Sequence, residues 1–251
     1  MTFKELLDDG IIKLFTEKYS LEGTAFMLAL GGILLFIAAA GYLLGSLNSA
    51  VIFSKLFWHE DIREKGSNNA GMTNMFRVFG KKAGILTLAG DFLKTFLSVA
   101  VGYIGYGRGG AWFAGLFCML GHMFPLYYKF KGGKGMLVCS FTLLLTDWPV
   151  FLIGLVVFVG TVLISRMISL GSIMAALTMP LFLYEWYEVF GESGALLGMR
   201  MPVAFLMAVC VVAAHVPNIK RIYAGEEPKV DLGKLFKKKK DKNGSGGDGS
   251  R

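Results

Sequence analysis

Cysteine and histidine are scarce, with three of each in the chain. Cys118, Cys139 and Cys210 lie in or beside apolar blocks, and no CxxC or mixed His/Cys ligand spacing occurs. This argues against a disulfide scaffold or a zinc module and leaves the thiols as small buried hydrophobes. No metal or cofactor is expected. The start, MTFKELLDDG, lacks the basic lead, short apolar core and small residues of a cleavable signal peptide. No GxSxG elbow and no Ser-His-Asp pattern appears. The GGKG stretch at 132–135 lacks the earlier glycine and the following Ser/Thr of a Walker A loop.

What the chain has is grease. Hydrophobic residues make up 54% of it and mean hydropathy is +0.56, above the range of soluble domains. Apolar blocks recur along most of its length, so the chain reads as a polytopic, all-α membrane protein. Seven spans are expected: 25–58, 83–106, 111–127, 136–145, 149–165, 170–190 and 201–219. The fourth run is shorter than the ~20 residues of a straight crossing helix. It is expected to tilt or to begin within the glycine-rich stretch before it.

Lysine and arginine orient these spans. Of the 26, 20 fall on alternate loops and the tail, five on the opposite side, and Lys94 within a span. The positive-inside rule then places the N-terminus outside and the tail in the cytoplasm. The net charge of +8 is thus mostly topological and implies no nucleic acid. Residues 1–24 place Phe3, Leu6, Leu7, Leu14 and Phe15 at near-helical spacing. They read as an interfacial amphipathic segment broken or weakened at Gly10. Residues 25–220 form the membrane domain. Residues 221–251 form a basic tail, low in complexity and disordered toward its end.

Polar residues crowd the cytoplasmic side. Gly45-Ser46 and Asn48-Ser49 sit inside the end of the first, otherwise apolar, helix. The stretch Gly66–Asn74 holds two glycines, one serine, one threonine and three asparagines, so its backbone N–H groups can curl round an anion. Arg63 and Arg77 flank it, with Asp61 placed to hold Arg63. Asp91 and Lys94, three apart in the second span, are spaced to pair on one helix face, either as a structural pair or lining a substrate. Lys134 sits between Gly133 and Gly135. Ser165-Arg166 and Ser169 link two spans. His215 and Asn218 share a face at the end of the last span, and Pro217 is expected to kink or end that helix. Five separate helix ends thus converge on a binding site for an anion that meets lipid.

Seven segments in order, GSLNSA (45–50), DIREKGSNNAGMTN (61–74), DFLK (91–94), GHMFP (121–125), FKGGKG (130–135), SRMISLGS (165–172) and HVPNIKRIYAGEEPKV (215–230), carry a family resemblance. The chain resembles the bacterial acyl-phosphate:glycerol-3-phosphate acyltransferases, the PlsY family, from about Gly41 to Val230. The resemblance implies seven spans in the bacterial cytoplasmic membrane and an active site facing the cytoplasm. It implies acyl transfer from acyl phosphate to glycerol 3-phosphate, giving lysophosphatidic acid and phosphate for phospholipid synthesis. The implied catalytic positions are Ser46, Arg63, Lys134, His215 and Asn218. The implied substrate-binding positions are Ser169, then Gly66, Ser67, Asn69, Gly71 and Asn74, then Gly132, Gly133 and Gly135. The expected partners are those two substrates and membrane lipid. The HxxxxD pair of other glycerol-phosphate acyltransferases is absent, since Glu64, Tyr127 and Lys220 follow the three histidines at that spacing. Acyl phosphate is already activated, so electrostatic clamping and positioning suffice without a protein nucleophile. A transporter or binding protein for a small phosphorylated anion is the alternative. It is disfavoured because no internal repeat is evident and the polar groups crowd one face.

Overall fold

The computed structural model describes residues 8–190 and 198–231, and among these the regular structure is entirely helical. The helices are α1 (Ile11–Tyr19), α2 (Gly23–Ser46), α3 (Ser49–Trp58), α4 (Met72–Phe79), α5 (Lys81–Met123), α6 (Met136–Thr146), α7 (Trp148–Ser165), α8 (Ile168–Phe190), α9 (Arg200–Ala214) and α10 (Val216–Tyr223). Short 3-10 turns occupy Ile62–Glu64 and Leu126–Tyr128. The expectations for Phe3, Leu6, Leu7 and the end of the tail fall outside the described residues.

The 43-residue α5 is two antiparallel arms. Tyr106 (φ −144°, ψ 42°) and Gly107 (φ 51°, ψ −148°) leave helical space, and Gly107 supplies the left-handed turn that a side chain resists. The arms then press together. A methyl added to Gly102 would collide with Gly110 and Ala111, residues that a straight helix would hold two turns away. Farther from the turn the same pairing brings Lys94 to His122. The sequence expectation of separate spans at 83–106 and 111–127 corresponds to these two arms. α2 lies along the returning arm, with Gly41 and Gly45 against the Ala114 and Cys118 carbonyls. Small residues at such a contact let helix backbones approach closely, the usual basis of packing inside a bilayer.

The buried centre is made by Trp112 and Met119 of the returning arm, Val138 of α6, Leu183 of α8, and Met207 and Val211 of α9. The outside is apolar as well. α7 buries only Val150 and leaves Val156 71% and Ile164 89% exposed. Such a surface is unfavourable in water and natural in lipid. Among the described residues four helical stretches are long and apolar enough to cross a membrane, or five if α9 and α10, bent by 53°, count as one. α6, with 11 residues, is shorter, and it begins at Met136 rather than within the glycine-rich stretch.

The first expected span differs in detail. It breaks at Leu47–Asn48, where the sequence suggested polar positions inside one continuous helix. The cause is local: the Asn48 side chain accepts a hydrogen bond from Val51 N at 3.1 Å and so starts a new helix. At the other end of the molecule Gly10 (φ 70°) interrupts the N-terminal segment before α1, and its backbone rests on Tyr106 and Gly107.

Candidate active site

The break at Leu47–Asn48 frees the carbonyls that end α2, and Lys94 takes two of them. Its Nζ lies 3.3 Å from the Gly45 and Leu47 oxygens, 2.8 Å from His122 Nδ1 and 2.9 Å from Asp91 Oδ1. The spacing of Asp91 and Lys94 thus produces the pair it suggested. An ammonium only donates, so His122 Nδ1 accepts and its proton belongs on Nε2. His122 also fixes the glycine-rich loop: its carbonyl accepts from Gly133 N at 3.1 Å. Any side chain at Gly133 would strike both the His122 ring and the Ala70 carbonyl, so only glycine lets these three segments meet. Gly132 packs on the His122 and Met123 carbonyls, and Gly135 (φ +78°) turns the chain into α6.

The loop after α3 is organised from within. Asp61 caps the Ile62–Glu64 turn and grips Arg63 through Nε at 2.9 Å and Nη2 at 2.7 Å. The Arg63 guanidinium therefore holds the Asp61 carboxyl well below its usual range, while the carboxylate raises the arginine further. Arg63 Nη1 reaches across to the Tyr128 carbonyl at 2.8 Å and the Lys131 carbonyl at 3.3 Å. It thereby ties this loop to the one carrying Lys134. Asn74 is the hub of the loop. Its Oδ1 accepts from Ser67 N, and its Nδ2 donates to the Ile62, Lys65 and Asn69 carbonyls. Gly66 (φ +61°) curls tightly over the Asn74 amide, and Gly71 precedes the first turn of α4. Ser46 bridges α2 and the next loop: its hydroxyl donates to Tyr42 O at 2.8 Å and accepts from Leu126 N at 3.2 Å.

The last segments close the array. Lys134 Nζ donates to Asn218 Oδ1, and Asn218 Nδ2 donates to Glu227 Oε1 at 2.8 Å. Glu227 also accepts from Arg221 Nε at 2.8 Å. Burial raises the Glu227 pKa, but contacts with Ser169, Asn218 and Arg221 outweigh it and leave the carboxyl below its usual value. Ser169 is buried beside it without a hydrogen bond of good geometry. Burial, and then the charge of Arg221, pushes Lys134 down to about 8. His215 stands at the bend between α9 and α10, with Pro217 in the first turn beyond, so the kink falls at the histidine itself. Its Nδ1 is 2.7 Å from the Val211 carbonyl. A carbonyl only accepts, so Nδ1 carries the proton and Nε2 of the neutral ring keeps a lone pair.

Ser46, Arg63, Lys134, Ser169, His215, Asn218 and both glycine-rich segments therefore belong to one contiguous array at one end of the bundle. The side chains of Arg63 and Asn74 and the N–H groups of Ser67, Asn68, Gly71 and Gly133 are engaged within the protein, which leaves the other loop N–H groups, Lys134, Ser169 and His215 Nε2 to meet a ligand. Sequence reasoning named neither Glu227 nor His122 among the site residues. Each had a signal in a segment that carries the resemblance, Glu227 in the one that starts at His215 and His122 in GHMFP (121–125). Among the described residues no group of acidic, His and Cys side chains is arranged to hold a metal.

Comparison with known proteins gives this array a context. The family model for glycerol-3-phosphate acyltransferase matches residues 35–225. A glycerol-3-phosphate acyltransferase of Finegoldia magna is 35% identical over 198 residues, covering 78% of this chain and 96% of the relative. That of Pseudomonas paraeruginosa is 39% identical over 193 residues, covering 76% and 96%. The crystal structure of PlsY (YgiH), an integral membrane glycerol 3-phosphate acyltransferase in its glycerol 3-phosphate form, superposes with a TM-score of 0.72. It shares 33% identity and covers 81% of this chain and 99% of that one. A lysophosphatidic acid form superposes with a TM-score of 0.71. Residues 35–225 include Ser46, Arg63, Lys134, Ser169, His215 and Asn218, and the chain therefore belongs to the glycerol-3-phosphate acyltransferase family.

Proposed function

We propose that this protein transfers a fatty acyl group from acyl phosphate to glycerol 3-phosphate, releasing lysophosphatidic acid and inorganic phosphate. The observation that carries the reading is the bond from Lys134 to Asn218. It supports a site in which the cation of a glycine-rich loop acts with His215 and Ser169, within a family whose relatives are named glycerol-3-phosphate acyltransferase. Both substrates are anions, and one of them is a lipid. A partly buried cation and exposed backbone N–H groups counter their mutual repulsion, and excluding water strengthens each contact.

In the proposed reaction a glycerol hydroxyl attacks the acyl carbonyl. A C–O ester bond forms, and the bond from that carbon to the phosphate oxygen breaks. The hydroxyl proton leaves to His215 Nε2 or to the departing phosphate. Lys134 and the backbone of 66–71 and 132–135 hold phosphate, while Ser169 and Asn218 orient the acceptor. Arg63 and Ser46 keep the two loops in register. The reading takes α2–α3, both arms of α5, the short α6, α7, α8 and the bent α9–α10 pair as seven crossings. The lysine and arginine asymmetry supports an N-terminus outside and a site at the cytoplasmic face of the bacterial membrane. The acyl tail lies between helices in the inner leaflet.

The test supplies purified enzyme with acyl phosphate and radiolabelled glycerol 3-phosphate and scores labelled lysolipid. Lysolipid formed by the wild type and lost in Lys134→Ala is the expected result. Label accumulating inside sealed vesicles with no acyl transfer would make the protein a transporter. Normal turnover by Lys134→Ala would remove the lysine from the site.

A further inference from the structure

The far end of the bundle carries a second polar cluster that the reaction does not use. Its residues sit where helices turn away from the active site: Arg108 and Trp112 after the α5 turn, Asp147 between α6 and α7, Tyr187 late in α8, and Arg200 at the start of α9. Asp147 is buried and its carboxylate is satisfied, taking Trp112 Nε1–H at 2.7 Å and the Tyr187 hydroxyl proton. A phenol has one proton to give, so its oxygen is left as an acceptor. Two guanidiniums converge on it, Arg200 Nη1 at 2.6 Å and Arg108 Nη1 at 3.4 Å. Arg200 also lies 4.5 Å over the Tyr187 ring.

The charges there do not balance. Neither arginine forms an ion pair with a carboxylate among the described residues, although Glu185 and Glu188 flank Tyr187 on α8. Arg108 Nε is buried without a hydrogen-bond partner. Two cations that meet on one hydroxyl repel each other, and at a membrane boundary that repulsion is weakly screened. An anion between them removes it, and planar guanidinium donors suit a phosphate. The depth of the cluster identifies the source of such a phosphate. Trp148, next to Asp147, is 62% exposed, and Tyr184, one turn before Tyr187, is 46% exposed. Exposed Trp and Tyr rings sit at the headgroup level of a bilayer.

We propose that Arg108 and Arg200 form a headgroup-depth site for the phosphate of an anionic phospholipid, at the end of the protein opposite the catalytic array. With the proposed orientation this is the outer leaflet. The site is separate from acyl transfer, so its test reads lipid binding and is independent of the activity assay. Full-length protein, delipidated in detergent, is melted with phosphatidylglycerol, with phosphatidylcholine or with inorganic phosphate. Wild type, Arg108→Gln and Arg200→Gln are compared, and a cooperative melt without added lipid serves as the control for folding. Phosphatidylglycerol is expected to raise the wild-type melting temperature, with half-saturation moved about tenfold higher in Arg200→Gln, while zwitterionic phosphatidylcholine has little effect. Tenfold corresponds to ~1.4 kcal/mol. If Arg108→Gln fails to fold, Arg200→Gln alone decides. Identical phosphatidylglycerol titrations in wild type and Arg200→Gln overturn the site. An equal response to inorganic phosphate, lost in the variants, overturns the lipid as its occupant.

Discussion

The two ends of this bundle solve the problem of polar groups in lipid in different ways. At the catalytic end the polar atoms come largely from backbone: carbonyls released at the break of α2, N–H groups of two glycine-rich loops, and a histidine held at a bend. At the far end they come from side chains on helices, with the Asp147 carboxylate closed by an indole and a phenol. Irregular backbone is tolerated at membrane depth only where protein or a water-filled cavity surrounds it. For the proposed reaction the Lys134 end needs that irregularity, because N–H groups and space are what a phosphate requires. The far end holds five helical segments together and, in the proposed site, one headgroup phosphate, and side chains on and between helices suffice.

That contrast can be broken by experiment. The largest effect is expected from Lys134→Ala, which removes the cation nearest His215: kcat/KM should fall by about 10²–10³-fold, the range for deleting one electrostatic donor, with the melting temperature nearly unchanged. Lys94→Met should damage both activity and stability. It leaves Asp91 buried without its cation, which costs on the order of 3–5 kcal/mol, and it frees His122 to adopt either tautomer. Thermal melting with nitrogen NMR of labelled histidine checks both outcomes. Asp147→Asn should do the reverse of Lys134→Ala, lowering stability by about 1–3 kcal/mol and leaving kcat/KM unchanged at a temperature where the protein stays folded. An equal loss of turnover would mean that the two ends are coupled.

The smallest and sharpest effect concerns pH. Lys134, pushed down to about 8, carries its charge below that value and loses it above. kcat/KM, which reports the free enzyme, should therefore decline about tenfold per pH unit above 8. Bound phosphate favours the charged lysine, so the decline in kcat should lie at higher pH. Lys134→Arg should abolish the alkaline decline even if its plateau is lower. A decline unchanged in that variant would assign it to another group.

Much of this architecture was legible because its signals are local. Apolar runs marked the helices, glycines marked the loops, Asp61 stood two residues from the arginine it grips, and Asp91 stood one turn from Lys94. Pro217 announced the bend near Asn218, although the bend falls at His215. Other features arise only from packing. Nothing near Lys94 in sequence says that it reaches His122 or the end of α2, because both contacts depend on how the α5 arms lie against α2. Glu227 follows the last span in a stretch that reads as solvated tail, and only the folding back of that stretch brings it to Asn218. Arg108 and Arg200 entered the sequence reading merely as counts in a charge tally. The break at Leu47–Asn48 was hidden because an asparagine in an apolar run looks like one polar position rather than a new helix start.

Asn74 shows how narrow the chemistry of such a loop can be. Its amide gives hydrogens to three carbonyls and receives one from Ser67 N, so every direction around it has a fixed polarity. Loss of ammonia from this side chain, a common ageing reaction of proteins, would change its size hardly at all and would turn an oxygen toward three oxygens. A single carboxamide thus fixes the polarity of the whole loop, and the surrounding chain shields it from water.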